Sequence, residues 1–379
     1  MDALKDQAPK VRAVAAESLG LFTNVSSNSV PPLLETLKDE KAEVRRAAVL
    51  SLGRLGKGDP KVEAALRDFL EDPDPLSRIN ATVALASLEK ADESVIPTLL
   101  TALAGKDKPA AKLAETVLGQ MGRKSPEKVL PGLLAALEKK QEPLAGYAVQ
   151  VLRSMKTAAA PALPNLVALY DNADPETRLD IIDAVTSIDK AGDFAIPVLL
   201  KSIKADDPVD RNEALLGLLR YRNKSDLYLD HLIGALKDED AKNRLLAARL
   251  LRGLGNKAEK AVPALIALAG DKDIAVRLSA IQAFGSLQPP PREILTALEA
   301  CLADENVLVR KAAATALGQS GITFPEEASG ILEKALKTEQ DPQAKARIGA
   351  TLKRLSESRP GRVSAAGEKG GDGVRPQPH

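Results

Sequence analysis

Hydrophobic residues in this chain recur at helical spacing, in pairs of short segments separated by a polar turn. In residues 30–56 the first segment places Leu33, Leu34 and Leu37 on one face. After the polar turn 38–41, the second segment places another apolar set on one face: Val44, Ala47, Ala48, Leu52 and Leu55. Gly53 and Gly56 follow where a helix is expected to end. The pattern predicts an antiparallel pair of helices.

This unit recurs with a period of 33 residues, which is clearest for the arginine that opens the second segment. The period connects two runs of arginines: Arg12, Arg45 and Arg78, then Arg178, Arg211, Arg244, Arg277 and Arg310. Between the runs it passes through Ala111 and, after one inserted residue, Ala145. A period of this kind predicts a repeat protein in which each unit packs on its neighbours.

Proline follows the same period in the first segment of the unit. The prolines on this register are Pro31, Pro97, Pro131, Pro164, Pro197 and Pro263. Proline is tolerated in the first turn of a helix, where its missing N–H has no partner in any case. We therefore expect these six prolines to lie early in the first helix of their units.

The two halves of the unit resemble HEAT repeats, particularly the short bilin-lyase-type HEAT-like units. The matching motifs are V-P-x-L-L-x-x-L-x-D in the first half and V-R-x-A-A-x-x-x-L-G-x-L-G in the second. The resemblance covers residues 1–356. It implies an all-α α-solenoid, a right-handed superhelix of antiparallel helix pairs, with about ten to eleven HEAT-like repeats of 33 residues. It also implies a curved, extended binding surface.

The period sets the boundaries of the predicted solenoid. It gives eleven second helices, ending with one around Lys345, but only ten first helices. Residues 4–6 align with the end of a first helix, so the first repeat lacks its first helix and the chain is expected to be truncated or part of a longer protein. Residues 357–379 are rich in Gly and Pro and predict a disordered tail.

An aspartate lies six residues before the repeated arginine in several units. The pairs are Asp39 and Arg45, Asp72 and Arg78, Asp238 and Arg244, Asp271 and Arg277, and Asp304 and Arg310. Stacking of the units would place each of these turns beside the next, and a ladder of charge-assisted hydrogen bonds is the expected result. The alternative is a repeated anion-binding site.

Variable positions on the second helix suggest where a partner could bind. Positions +1, +5 and +8 or +9 from the repeated residue share a helix face that HEAT-like arrays use as their concave surface. Between residues 212 and 286 this face mixes leucine with arginine, a composition that suits an acidic protein or peptide. The candidate partner-binding residues are Leu216, Arg220, Leu245, Arg249, Arg252 and Leu278. The alternative is an ordinary solvated surface.

Charge and composition limit the other kinds of partner. The chain has 53 basic and 52 acidic residues and a net charge of +1, so no overall field attracts nucleic acid or an anionic membrane. Aromatic residues make up 2% and Trp is absent, which suits HEAT-like DNA glycosylases poorly. No signal peptide and no apolar run of membrane-spanning length are present, which predicts a cytoplasmic protein.

Candidate catalytic and metal-binding residues are few. The histidines are His231, expected to be half-exposed on a first helix, and His379 at the end of the chain. Cys301 is the single cysteine and lies in an apolar run, which favours an inert core thiol. HEAT-like di-iron hydroxylases use repeated His-Glu pairs, and this sequence has no such pair. We predict no cofactor and no metal site.

These observations favour a non-enzymatic scaffold or adaptor that binds another protein or peptide through the concave face of the solenoid. The alternative is an enzyme-associated HEAT-like protein. It would handle a bilin-type chromophore like the bilin lyases, or belong with the hydroxylases and other oxidoreductases by family resemblance. A third possibility is that the repeats are the regulatory arm of a larger protein.

Overall fold

A computed structural model describes residues 2–22, 26–139 and 143–357, and every regular element in these ranges is helical. We number the α-helices in chain order. The odd-numbered helices are the predicted second helices: α1 (Pro9–Leu21), α3 (Ala42–Leu55), α5 (Pro75–Ser87), α7 (Lys108–Lys124), α9 (Leu144–Met155), α11 (Pro175–Ile188), α13 (Pro208–Leu218), α15 (Ala241–Leu254), α17 (Ile274–Phe284), α19 (Val307–Ser320) and α21 (Pro342–Glu357).

The even-numbered helices are the predicted first helices. They are α2 (Ser26–Thr36), α4 (Pro60–Asp68), α6 (Ile96–Ala104), α8 (Pro126–Lys139), α10 (Leu163–Tyr170), α12 (Ala195–Ser202), α14 (Leu229–Ala235), α16 (Val262–Leu268), α18 (Ile294–Cys301) and α20 (Pro325–Thr338). Short 3₁₀ helices precede or join some of them, at Asp2–Lys5, Phe69–Glu71, Glu93–Val95, Lys156–Ala162, Leu219–Leu227 and Gly255–Ala261.

The chain divides into two compact units, Met1–Asp206 and Asp207–His379. Within each unit, consecutive odd-numbered helices pack side by side in one layer. Each of them except α13 also packs on an even-numbered helix, and α13 packs on the 3₁₀ helix Leu219–Leu227. The even-numbered helices contact one another much less closely. Each unit is therefore built as an α-solenoid of helix pairs, which confirms the predicted fold class, while the right-handed superhelix stays a prediction.

The repeated apolar positions of the second helix form the core, as the spacing predicted. In α3, Val44, Ala48 and Leu52 are fully buried, and in α17 the equivalent Val276 and Ala280 are buried as well. Because almost all of these side chains are aliphatic and small, the helices of one layer can approach one another closely.

Polar side chains, most of them aspartates, cap seven of the second helices in the described residues, a role that was not predicted from the sequence. The Asp74 carboxylate accepts a hydrogen bond of 2.8 Å from the Ser77 N–H at the start of α5. Side chains in equivalent places cap other second helices, namely those of Asp107, Asp174, Asp207, Asp240, Asp273 and Asn306. Each lies four residues before the repeated position, so the period itself contained the signal.

The prediction for the prolines is wrong at two of the six positions. Pro97, Pro164 and Pro263 lie in the first two residues of their helices, and Pro197 is the third residue of α12. Pro31 and Pro131 instead lie inside their helices. The reason is that α2 and α8 begin about one turn earlier than the other first helices, which leaves the proline on its register but further from the helix start.

The prediction that glycine ends the second helix is confirmed for Gly56 and wrong for Gly53. Gly53 does not end α3 but lies within it, buried against the next second helix. A Cβ at this position would come within 2.7 Å of the Ala84 Cα and Cβ in α5, far closer than such atoms pack. Gly56 is the residue that follows the end of α3. Gly53 is therefore required for close approach of neighbouring helices.

The predicted tail, residues 357–379, lies outside the described residues except for Glu357. Glu357 is the last residue of α21, and residues 358–379 lie outside the described part of the chain. Before α1, the residues predicted to correspond to the end of a first helix form the 3₁₀ helix Asp2–Lys5.

Candidate functional site

The repeated arginines and aspartates form the predicted ladder. Arg45 donates from Nε and Nη2 to the Asp72 carboxylate of the next repeat, at 2.9 and 3.0 Å. Its Nη1 donates to the carbonyl oxygens of Asp39 and Glu40 in its own turn, at 3.0 and 3.2 Å. The same link to the next repeat joins Arg12 to Asp39, Arg211 to Asp238, Arg244 to Asp271, Arg277 to Asp304 and Arg310 to Glu339.

The side chains of these ion pairs are largely shielded from solvent. The side chains of Arg244 and Asp271 are only 7% and 11% exposed, and the other pairs are similar. The hydrogen bond from Arg12 holds the pKa of the Asp39 carboxyl below its ordinary value, despite the opposing effect of burial. Because a carboxylate of the neighbouring repeat occupies each of these guanidinium forks, the ladder is structural and these six arginines are not anion sites.

The face chosen from the sequence is exposed in the second unit. At position +5, the side chains of Leu216 (α13), Arg249 (α15), Gln282 (α17) and Thr315 (α19) all reach solvent, and Leu216 is 40% exposed. Position +1 differs, since Leu245 and Leu278 are half-buried.

Three arginines of the candidate set differ from the ladder arginines in their surroundings. Arg220, Arg249 and Arg252 are exposed, and none of them forms an ion pair with any carboxylate in the described ranges. The Arg252 Nη1 donates instead to Gln282 Oε1, which places α15 and α17 side chains together. These cations therefore remain available to an external anion.

A cleft extends this surface beyond the residues that were chosen. It has a volume of about 490 Å³ and runs from Arg252 across α17 to α19. Gln282 and Ser286 line it from α17, and Thr315 and Gln319 line it from α19. Gln282 and Ser286 lie at positions +5 and +9 from Arg277, on the helix face predicted from the sequence between residues 212 and 286, which ends before α19. Counting +5 and +9 from Arg310 gives Thr315 and Gln319, so the same register would have found them.

The remaining candidate groups have structural surroundings. Cys301 is buried in α18, and burial raises the pKa of its thiol to about 11. The thiol is therefore not ionised at neutral pH and is a poor nucleophile. His231 is half-buried on α14, and its Nδ1 is buried without a hydrogen-bond partner among the described residues.

Within the described ranges, His, Cys, Asp and Glu side chains form no group of three or more that could hold a metal ion. No helix in those ranges is both long and apolar enough to cross a membrane.

Comparison with known families identifies the repeat. A family model described as HEAT repeats matches residues 1–86 and 229–292, and a model described as HEAT repeat matches residues 294–320. HEAT repeats therefore account for residues 1–86, 229–292 and 294–320 of this chain. The stretch between the matches contains Ala111 and Ala145, where the ladder arginines of the HEAT repeats are missing. The bilin-lyase-type subclass stays a prediction, because the matching models describe HEAT repeats in general.

Solved structures of other proteins share the fold. Kap121p, in a crystal structure bound to Nup53p, is 15% identical with a TM-score of 0.64, over 93% of this chain and 44% of Kap121p. Kap95p, in a structure with RanGDP, is 12% identical with a TM-score of 0.58, over 93% of this chain and 55% of Kap95p. The chain thus spans about half the length of these two proteins. No curated protein matches its sequence.

Proposed function

We propose that this HEAT-repeat chain is a non-enzymatic scaffold or adaptor that binds an acidic segment of another protein on the odd-helix face of its second unit. We call this surface, formed by Leu216, Arg220, Leu245, Arg249, Arg252 and Leu278, the arginine patch. The observation that carries the proposal is the exposure of three arginines without an acidic partner, beside an exposed leucine and a cleft of about 490 Å³.

The contrast with the ladder makes this observation informative. Where arginine has a structural role in this chain, a carboxylate of the next repeat neutralises it at short distance. Unpaired cations next to apolar surface give a partner both electrostatic attraction and area to bury. Leu216 supplies apolar contact, and the cleft lined by Gln282 and Thr315 offers hydrogen-bonding side chains.

The position of the patch also supports the proposal. Odd-numbered helices are more closely packed with one another than even-numbered helices are, which is expected for the inner layer of a curved stack. Inner layers of solenoids provide extended binding surfaces. The fold is shared with Kap121p and Kap95p, which have been solved with protein partners. With one buried thiol and no disulfide required, the chain suits a reducing compartment such as the cytoplasm.

The test is affinity capture from a source-cell lysate, followed by binding measurements with the purified partner. The variant carries Arg220→Glu, Arg249→Glu and Arg252→Glu. The control variant reverses three other exposed charges of the same unit, Lys237→Glu, Lys242→Glu and Lys257→Glu. We expect the partner to bind the native chain and the control, and to bind the patch variant on the order of ten- to a hundredfold more weakly.

Three results would contradict the proposal. A partner held equally by the patch variant would move the site elsewhere. Loss of binding in both variants would show a dependence on net charge rather than on the patch. Stoichiometric iron or tetrapyrrole absorbance in the purified protein would favour the enzyme-associated alternative.

A further inference from the structure

At Arg78 the chain lacks the acid that follows a ladder arginine 27 residues later. Arg45 pairs with Asp72, which lies 27 residues later in the turn of the next repeat. The same count from Arg78 gives Gly105, which has no side chain to offer. The turn that contains Gly105 is followed by Ala111 in place of the repeated arginine. This repeat therefore supplies neither an acid nor an arginine to the ladder.

The Arg78 guanidinium is nevertheless oriented as the other ladder arginines are. Its Nη1 donates to the carbonyl oxygens of Asp72 and Pro73 in its own turn, at 2.7 and 3.2 Å. Its Nε and Nη2, the edge that binds a carboxylate in Arg45, have no acceptor within residues 2–22, 26–139 and 143–357. Arg78 is thus half-buried and held in place, with the binding edge of its fork open.

The open fork lines a cleft of about 460 Å³ in the first unit. Apolar and hydroxyl side chains provide much of its wall, among them Leu70, Pro75, Ile79, Pro97, Thr98 and Thr101. The other charged residues that line it are Glu71, Lys106 and Asp107.

Neither Glu71 nor Asp107 replaces the carboxylate that is missing at position 105. The Asp107 carboxylate caps α7 by accepting the Ala110 N–H at 3.1 Å, and Glu71 is exposed at the edge. Neither forms an ion pair with Arg78 in the described part of the chain, and Lys106 adds a second cation. The fork therefore remains available to an outside carboxylate.

We propose that Arg78 binds an aspartate or glutamate side chain of a partner polypeptide, which takes the place of the carboxylate missing at position 105. Two parallel N–H···O bonds to the Arg78 fork would reproduce the arrangement that Asp72 makes with Arg45. A polypeptide suits the cleft better than a small free acid, because the apolar walls and the two threonines can contact the residues that flank the acid. The site lies in the first unit and does not depend on the arginine patch.

A substitution at position 105 can supply the missing carboxylate from within the chain and so compete with a partner for Arg78. Gly105 has φ −76° and ψ 166°, an extended conformation open to any residue and close to the φ −56° and ψ 139° of Asp72. A Cβ at Gly105 would meet only backbone nearby, the Ala102 carbonyl oxygen at 3.2 Å. Gly105→Asp should therefore place a carboxylate on Arg78, raise the melting temperature and close the site.

The experiment selects a displayed random-peptide library on the whole chain and measures binding of the selected synthetic peptides. We expect the peptides to share an acidic residue and to lose affinity when it is changed to its amide. Arg78→Gln and Gly105→Asp should each weaken binding about tenfold or more, because each removes the open fork. Arg54→Gln, an exposed arginine of α3, should leave the affinity unchanged.

Several outcomes would overturn the proposal. They are a failure to enrich any peptide, selected peptides without an acid, and equal binding to Arg78→Gln and the native chain. Acetate binding as tightly as the peptides would assign the fork to free carboxylates instead of a polypeptide. If Gly105→Asp does not fold, Arg78→Gln decides alone. The variant with Arg220→Glu, Arg249→Glu and Arg252→Glu should bind the selected peptides as tightly as the native chain does. The two proposals can therefore fail independently.

Discussion

At the scale of single residues, each ladder arginine satisfies two repeats at once. Arg244 donates to the Asp271 carboxylate at 2.7 and 2.8 Å and to the carbonyl oxygens of Asp238 and Glu239 at 2.8 and 2.9 Å. Its removal would leave a largely buried carboxylate and two carbonyl groups without their donor. The cost of such a loss exceeds that of an exposed ion pair.

We therefore expect Arg244→Ala to lower the free energy of unfolding by roughly 2–4 kcal/mol, through the loss of charged hydrogen bonds at a buried site. Urea unfolding and hydrogen exchange of α15 and α17 would measure it. Arg249→Ala on the same helix removes an exposed side chain and should change stability by less than about 0.5 kcal/mol. An unchanged melting temperature in Arg244→Ala would count against a structural role for the ladder.

Glycine provides a second prediction at this scale. Gly53→Ala should destabilise the protein by roughly 1–3 kcal/mol, because the added Cβ meets the Ala84 backbone in α5. Gly349→Ala is the matched control, since Gly349 lies within α21 and an added Cβ has nothing within 4 Å. The control should gain roughly 0.5–1 kcal/mol from helix propensity. Thermal unfolding that moved in the same direction for both variants would contradict close approach at Gly53.

At the scale of elements, the turn between the two helices of a repeat is held by ionised carboxylates. The Asp39 carboxylate accepts the Lys41 N–H at 2.9 Å in addition to Arg12, and the Glu339 carboxylate accepts the Asp341 N–H at 2.8 Å in addition to Arg310. The hydrogen bonds from arginine lower the pKa of Asp39 and of Glu339. The fixed turns thus depend on charge.

This dependence predicts acid sensitivity. A carboxyl whose pKa is lower in the folded than in the unfolded chain adds stability above its unfolded pKa, near 4, and the gain is lost as pH falls through the folded pKa. We expect the melting temperature to fall below about pH 4. Arg310→Gln should be less stable at pH 7, and its curve should converge with the native one in acid. Parallel curves over the whole range would show that the ladder carboxylates do not carry this dependence.

At the scale of the whole molecule, the ladder is interrupted in the same stretch that the HEAT family models leave unmatched. Gly105 removes the acid that would pair with Arg78, and Ala111 and Ala145 take the places of the next two repeated arginines. The helices continue through this stretch, because the apolar core positions of α7 and α9 remain buried. Packing of the layers therefore holds the array where the ladder does not.

Hydrogen exchange should report this difference. The Lys41 and Asp74 N–H groups are each held by a ladder carboxylate, whereas the turn at 105–107 has no such acceptor at Gly105. We expect amides of the turn 105–107 to exchange faster than those of the turns 39–41 and 72–74, as weakly held turns open more often. Gly105→Asp should slow them. Equal exchange rates in the three turns would show that the ladder carboxylates contribute little to local stability.

The sequence by itself determined the repeat, the helix pairs, the core positions and the arginines and aspartates that form the ladder, but not which of them pair. These follow from periods of 3.6 and 33 residues, which are set by local helix geometry and by identical packing of each unit on the next. Tertiary structure alone decided that Gly53 serves close approach, that Arg252 opens onto a cleft shared with α19, and that Arg78 keeps its orientation without its acid. Each of these depends on distances between side chains of neighbouring repeats, and such distances leave no trace in the spacing of residues along the chain.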